Sequence, residues 1–341
     1  MDPYALGDIE DTMLLSWPLK NPGEASLTSK NAYSTSIVDT YSTSISVKRL
    51  DDIVMSIGWL KEKDKPIYLL KIDVEGFEPN VLEGSRQLLQ SGLLENILME
   101  FNPNLFDDSS RTNSFITLLL QNHYELIGLL GWNGGHMIDA TNHVRFDNLT
   151  LFVSDLIKLT EIQHAKSLKV GRLMNLWWIK KDANSNSTLV SNPNTTGETK
   201  KKATADALSW CEEFQQNLTS AGIADPNEVN GTKEMHTFKT ITDPPFFMSV
   251  HRQEVDRIRF EMMGTKTYYE KQMTANFVKI LKNRTISGRV IDVGMNIGWF
   301  TLLSRSLGHD VLSFEPNPSN IVRLCESLAL NNWADGSLCT W

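Results

Sequence analysis

A unit that normally begins a protein sheet stands almost at the end of this chain. Residues 289–318 read Arg-Val-Ile-Asp-Val-Gly-Met-Asn-Ile-Gly-Trp-Phe-Thr-Leu-Leu-Ser-Arg-Ser-Leu-Gly-His-Asp-Val-Leu-Ser-Phe-Glu-Pro-Asn-Pro. The apolar run Val290 to Val293 predicts a buried strand, Gly294 and Gly298 bracket a tight turn, and Trp299 to Leu307 has helical spacing. A second apolar run, Asp310 to Phe314, ends on Glu315. Glycines let the backbone turn sharply and approach a ligand with no Cβ in the way. An acid beyond the second strand can accept both hydroxyls of a ribose. Strand, Gly-rich turn, helix, strand and acid make the nucleotide-binding half of a Rossmann-like α/β sheet. After Glu315 the chain has room for one more helix before Trp341, so the remaining strands must come from elsewhere.

The front of the chain supplies candidates. Tyr68 to Ile72 reads as a buried strand that ends in Asp73-Val74-Glu75-Gly76; a helix over Asn80 to Gln90 and a strand over Asn96 to Phe101 follow. The two segments together resemble the FkbM family of S-adenosylmethionine-dependent methyltransferases. The late segment looks like that family's cofactor-binding first half, through Asp292-Val293-Gly294-Met295-Asn296-Ile297-Gly298-Trp299 and Phe314-Glu315-Pro316-Asn317-Pro318. The early one looks like its second half, through Lys71-Ile72-Asp73-Val74-Glu75-Gly76. The halves stand in reversed order. The expected fold is a Rossmann-like class I methyltransferase sheet, either circularly permuted or an offset slice of a tandem repeat. Residues 1–180 would supply the later strands, 181–240 a linker with one helix, and 241–341 the cofactor-binding strands. A domain-exchanged homodimer is the alternative assembly.

The resemblance implies S-adenosylmethionine as cofactor, bound through Asp292, Gly294, Asn296, Gly298, Trp299 and Glu315, with Glu315 on its ribose. It sets Asp73 and Glu75 toward the transferred methyl. Asp73 could act as general base, cofactor contact or half of a metal site; the plainer role is a cap on the turn that follows. Asp73 ranks first and Glu75 second; Glu100, ending the next strand, is a second-rank candidate, and Glu78 reads as a solvated first-turn helix residue. His251 is a further catalytic candidate because it precedes a helix in the segment expected to cover the cofactor; a packed histidine is the plainer reading. His136 has similar standing, and His309 reads as structural. Tyr268 and Tyr269, with Glu270, close over the cofactor or simply pack, and Trp177-Trp178 seals an apolar edge. A dinucleotide enzyme would want Gly-x-Gly-x-x-Gly, and no glycine occupies the middle position of Gly294-Met-Asn-Ile-Gly298.

Composition excludes several other classes. A formal charge of −8 argues against a general phosphate-backbone binder, hence no nucleic-acid partner. No apolar run approaches the length of a membrane span. Cys211, Cys325 and Cys339 lie far apart and make no metal-ligand cluster, and no metal is expected; Cys325 sits on an apolar helical stretch that favours burial. Met1-Asp-Pro-Tyr is neither basic nor followed by an apolar core, which leans toward the cytoplasm, while sequons at Asn148, Asn186, Asn194, Asn217, Asn230 and Asn283 permit glycosylation in a secretory compartment. Residues 30–46 read as a Ser/Thr-rich loop, Leu149 to Val153 as a strand, 225–243 as irregular, and Ala205 to Ala221, Arg252 to Arg259 and Tyr268 to Leu281 as helices. The expected activity is O-methylation of a hydroxyl on a sugar, polyketide or similar small molecule or glycan. The competing class is an inactive methyltransferase-like fragment or partner-binding repeat.

Overall fold

The computed structural model describes residues 4–18, 25–28, 40–101, 109–133, 136–138, 174–181, 206–220, 228–229, 232–233, 235–252, 258, 269–282, 284, 287–333 and 338–340. At the front, β1 (Tyr4–Leu6), β2 (Asp11–Pro18), β3 (Ser26–Thr28) and β4 (Thr40–Lys48) form a small sheet in the order β1-β4-β2-β3. There follow α1 (Leu50–Ser56), β5 (Ile67–Ile72), α2 (Glu78–Glu83), α3 (Arg86–Gln90), β6 (Leu94–Phe101), α4 (Ser109–Gln121), β7 (Tyr124–Asn133), β8 (His136–Ile138) and β9 (Met174–Lys180). The later part contains α5 (Asp206–Ser220), β10 (Glu228–Val229), β11 (Thr232–Lys233), β12 (His236–Lys239) and β13 (Phe247–Val250). It continues through α6 (Lys271–Lys282), β14 (Arg289–Val293), α7 (Trp299–Ser306), β15 (Asp310–Phe314), α8 (Pro318–Leu330) and β16 (Leu338–Thr340).

The main sheet has eight strands in the order β16-β15-β14-β5-β6-β9-β7-β8. The late β14 and the early β5 are parallel neighbours, with Val290 opposite Leu69 and Val293 opposite Ile72. Both strands are buried along their whole length, which explains their unbroken apolar runs: a parallel sheet covered on both faces has no polar side to show. Alternate residues point to opposite faces. Leu70, Ile72, Ile291, Val293 and Phe314 join one core with α1 to α4, whereas Leu69, Val290 and Val311 join a second core with α5 to α8. Each fully buried aliphatic chain of this kind contributes about 1.5–3 kcal/mol.

The seam between early and late segments is also held by polar contacts. The Asp73 N–H donates to the Val293 carbonyl at 3.0 Å, and the Arg289 N–H to that of Pro66 at 3.0 Å. The Arg289 guanidinium, 1% exposed as a residue, donates to the Trp59 and Lys65 carbonyls at 3.0 Å each and pairs with Glu62. Lys65 pairs in turn with Asp310, and Arg284 with Glu95 at 2.6 Å.

Several local expectations are revised. Part of the Ser/Thr-rich stretch is the strand β4, because Ile45 and Val47 alternate with exposed Ser44 and Ser46 and pack inward. The helix expected over Asn80 to Gln90 is two helices: a Cβ on Gly84 would lie 2.0 Å from the Gly7 carbonyl oxygen, so the chain breaks where the front sheet presses on it. Trp177 and Trp178 do not seal an edge; β9 is inserted antiparallel between β6 and β7, and Trp178 is fully buried. Residues 225–243 are not wholly irregular, since β12 pairs with β13. Leu149 to Val153 lies outside the described residues, as does most of Arg252 to Arg259. Among the described residues no helix is long and apolar enough to cross a membrane.

Cys325 is buried as expected, but it is also bonded to Cys211, joining α5 to α8 across 114 residues of sequence. Closing so long a loop restricts the unfolded chain. Cys211→Ser is therefore expected to lower unfolding stability by about 2–5 kcal/mol, measured by urea denaturation of the variant beside the unreduced protein. Equal midpoints would show that the bond contributes nothing.

Candidate active site

The carboxyl ends of β5 and β14 lie side by side, and the site grows from that adjacency. Gly294 takes φ +76°, and a Cβ there would sit 1.7 Å from the Asp73 carbonyl oxygen. The turn after β14 can thus press directly on the turn after β5 only with glycine at this position. Gly298, at φ +91°, caps the start of α7, and a Cβ on it would meet Leu324 Cδ1 at 2.6 Å. Between them the Asn296 N–H donates to Glu315 Oε2 at 2.9 Å. Glu315 Oε1 accepts from the Asn317 N–H at 2.9 Å and from Asn320 Nδ2 at 3.3 Å. Burial still dominates, pushing the Glu315 carboxyl up to about 7 against those three donors.

Lys71 is buried beneath this junction. Its ammonium lies 3.2 Å from Asp73 Oδ2, 3.8 Å from Asp292 Oδ1 and 5.0 Å from the centre of the Phe300 ring. Burial works to strip the Lys71 proton, but the combined pull of Asp73, Asp292 and Glu270 outweighs it and holds the group well above the usual lysine range. Burial pushes Asp292 up, opposed by Lys71 and by Thr301 Oγ1, which donates to Asp292 Oδ2 at 2.6 Å. One lysine from the early strand therefore bridges an acid of the early turn and an acid of the late strand.

The turn after β5 is shaped by Glu78, whose Oε1 accepts from the Val74 and Gly76 N–H groups at 3.0 and 3.2 Å. Glu78 is 1% exposed, so it is not the solvated helix residue its position suggested; burial raises its carboxyl to about 7. The capping role open to Asp73 thus belongs to Glu78, and Asp73 is left turned to Lys71 and the cavity. Carboxylate oxygens of Asp73, Glu75 and Glu100 come within 4.8 Å of one another. Glu100 is held well above the usual carboxylate range by burial first, then by Asp73, Glu75, Glu78 and Glu270.

These groups open on a cavity of about 280 Å³, near the lower end of small-molecule sites (roughly 300–1,000 Å³). Asp73, Glu75, Gly294, Asn296, Trp299 and Glu315 all line it. Lys71, Glu100, Tyr269 and Glu270 line it too, and Tyr4, Leu6 and Leu15 of the front sheet form another wall. Asp292 sits behind the lining, reaching it through Lys71. His251 is not on the wall: it is buried, with Nε2 3.0 Å from Asn320 Oδ1, and Asn320 in turn holds Glu315. His309 packs edge-on to Tyr68 with both ring nitrogens against backbone groups. His136 falls in β8, and Tyr268 lies outside the described residues. Reasoning from sequence placed Lys71 in the motif at the end of β5 but gave it no role, though a lone cation inside an otherwise apolar strand was the signal. It also overlooked the front-sheet wall, which carries no chemical motif.

Residues 4–126 match the family model of the methyltransferase FkbM domain. The matched stretch contains the front sheet, Lys71, Asp73, Glu75 and Glu100. Over that stretch the chain is similar to the methyltransferase FkbM domain. No curated protein sequence matches the chain. Among solved structures, the crystal structure of the M1.HpyAVI–SAM complex aligns with 82% of this chain and 97% of that chain, at 8% identity and a TM-score of 0.30.

The buried acid makes a pH test. Because the folded Glu315 carboxyl titrates near 7 rather than 4.5, the folded state holds the proton more tightly than the unfolded chain. Stability is thus highest below about 4.5 for this group and is lost as pH rises toward about 7, by roughly 3 kcal/mol in full. Urea midpoints taken between about pH 5 and about pH 8 should fall less steeply for Glu315→Gln than for the wild type. Parallel profiles would contradict the assignment.

Proposed function

We propose that the protein transfers a methyl group from S-adenosylmethionine to a hydroxyl of a sugar, polyketide or similar small molecule. The observation that carries this reading is that the Gly294–Glu315 turn system and the Asp73–Glu75–Glu100 acids line one cavity. The donor set suits the cofactor. A buried carboxylate already oriented by three protein donors keeps lone pairs for ribose hydroxyls, and a cavity rich in carboxylates attracts a sulfonium cation. When bound, S-adenosylmethionine supplies an electrophilic methyl on positively charged sulfur.

The chain's own residues do the rest. The glycine turn brings backbone against the ligand, and Trp299, fixed by its Nε1 donating to Thr274 Oγ1 at 2.9 Å, forms an apolar wall. Asp73 and Glu75 accept the proton or hydrogen bond of the acceptor hydroxyl, Asp73 ranking first because Lys71 fixes its carboxylate. Holding donor and acceptor in line can contribute up to roughly 7–11 kcal/mol. His251 acts through Asn320 and Glu315 as a positioning residue, not as the base. We also read the chain order as one permuted domain, a reading supported by the parallel pairing of β14 with β5.

Calorimetric titration with S-adenosylmethionine tests the cofactor directly. Glu315→Ala is expected to weaken binding by about 1–3 kcal/mol, the range for losing a charged hydrogen-bond partner. Wild-type affinity should rise with pH toward about 7, since ribose hydroxyls favour the ionised carboxylate. Asp73→Asn keeps the shape and removes the charge; turnover should fall by roughly 10²–10⁴-fold with little change in cofactor affinity. Full turnover in that variant would remove Asp73 from the chemistry.

A further inference from the structure

Three acids meet at the mouth of β5 and β6. Lys71 is committed to Asp73 and Asp292. Glu100 is 7% exposed, and its Oε2 is buried with no hydrogen-bond partner among the described residues. That orphaned oxygen belongs to a side chain lining the cavity, beside the carboxylates of Asp73 and Glu75. A buried, unpaired acceptor oxygen is costly unless something not of the chain meets it.

We propose that Asp73, Glu75 and Glu100 bind one oxygen-preferring divalent cation of the Mg²⁺, Mn²⁺ or Ca²⁺ kind. Oxygen ligands on opposite sides of Ca²⁺, each at about 2.4 Å, lie at most about 4.8 Å apart. The three oxygens here all fall within 4.8 Å of one another, so some point lies no more than about 2.8 Å from all three, and a modest inward shift of the side chains brings them to Ca²⁺ distance, a larger one to that of a smaller ion. Glu78 fixes the backbone of the turn carrying Asp73 and Glu75 through the Val74 and Gly76 N–H groups, so the chain positions of two of the ligands are set before any ion arrives. Glu100 comes from the adjacent strand β6, itself pinned to β5 along its length. The open side of the ion would face the cavity, where it could bind the acceptor oxygen and lower the pKa of its hydroxyl. That role rests on the methyltransferase reading; the binding itself does not.

The test uses the full chain, stripped with a chelator and titrated with Mn²⁺, following free Mn²⁺ by its electron paramagnetic resonance signal in the absence of S-adenosylmethionine. One Mn²⁺ per chain should bind saturably and be displaced by excess Mg²⁺ or Ca²⁺. Glu100→Gln should weaken binding by roughly tenfold or more, as should Asp73→Asn, while Glu83→Gln, an exposed acid paired with Arg86, should not. Circular dichroism separates ligand loss from misfolding. Saturable uptake supports the site whether or not S-adenosylmethionine binds, so the two readings can fail separately. No saturable uptake by the wild type, or equal uptake by folded Glu100→Gln and Asp73→Asn, would overturn the proposal.

Discussion

The parallel pairing of β14 with β5 is the constraint on which the rest of the structure depends. It joins residues more than two hundred positions apart, and every feature of the site is measured from it. Without it Gly294 would not meet the Asp73 carbonyl, and Lys71 would not bridge Asp73 and Asp292. The lysine gives the seam chemical direction. A buried ammonium is costly alone, and here it is stabilised only because acids from both segments converge on it. Apolar faces on either side of the strands supply the attraction, and the lysine and the glycine make the join specific.

From that seam the cavity follows. The late segment contributes the Gly turn and Glu315, a carboxylate oriented by backbone and Asn320. The early segment contributes Asp73, Glu75 and Glu100 from adjacent strand ends. The front sheet closes another wall through Tyr4, whose ring lies 6.1 Å from that of Phe314. Two groups of cavity-lining residues thus come from opposite ends of the sequence and meet at the carboxyl edge of one sheet, where ligands of open α/β sheets bind.

Much of this was legible in the sequence because it is local. Val290 to Val293 and Tyr68 to Ile72 are apolar runs that a doubly covered strand requires, and the first glycine of the turn and the acid at the next strand end both line the cavity. What escaped was non-local. Glu78 looked solvated because helix-start acids usually are; only the fold bends the preceding turn back over it. The strand β9 hid in an aromatic patch whose partners, β6 and β7, lie far upstream. β4 hid because serine and threonine read as loop unless the alternation of Ile45 and Val47 is weighed. The Cys211–Cys325 bond joins residues whose separation gives no hint of contact, and the convergence of Glu100 with Asp73 and Glu75 depends on the register of β5 with β6.

Native-state amide hydrogen exchange tests the central claim most directly. Leu70 is fully buried in β5, and Leu70→Ala should destabilise the core by about 2–5 kcal/mol. If β5 and β14 belong to one cooperative sheet, the amides of Val290 to Val293 should exchange faster in that variant, by the same factor as those of Leu69 to Ile72. Faster exchange confined to β5, with β14 as protected as in the wild type, would contradict the account.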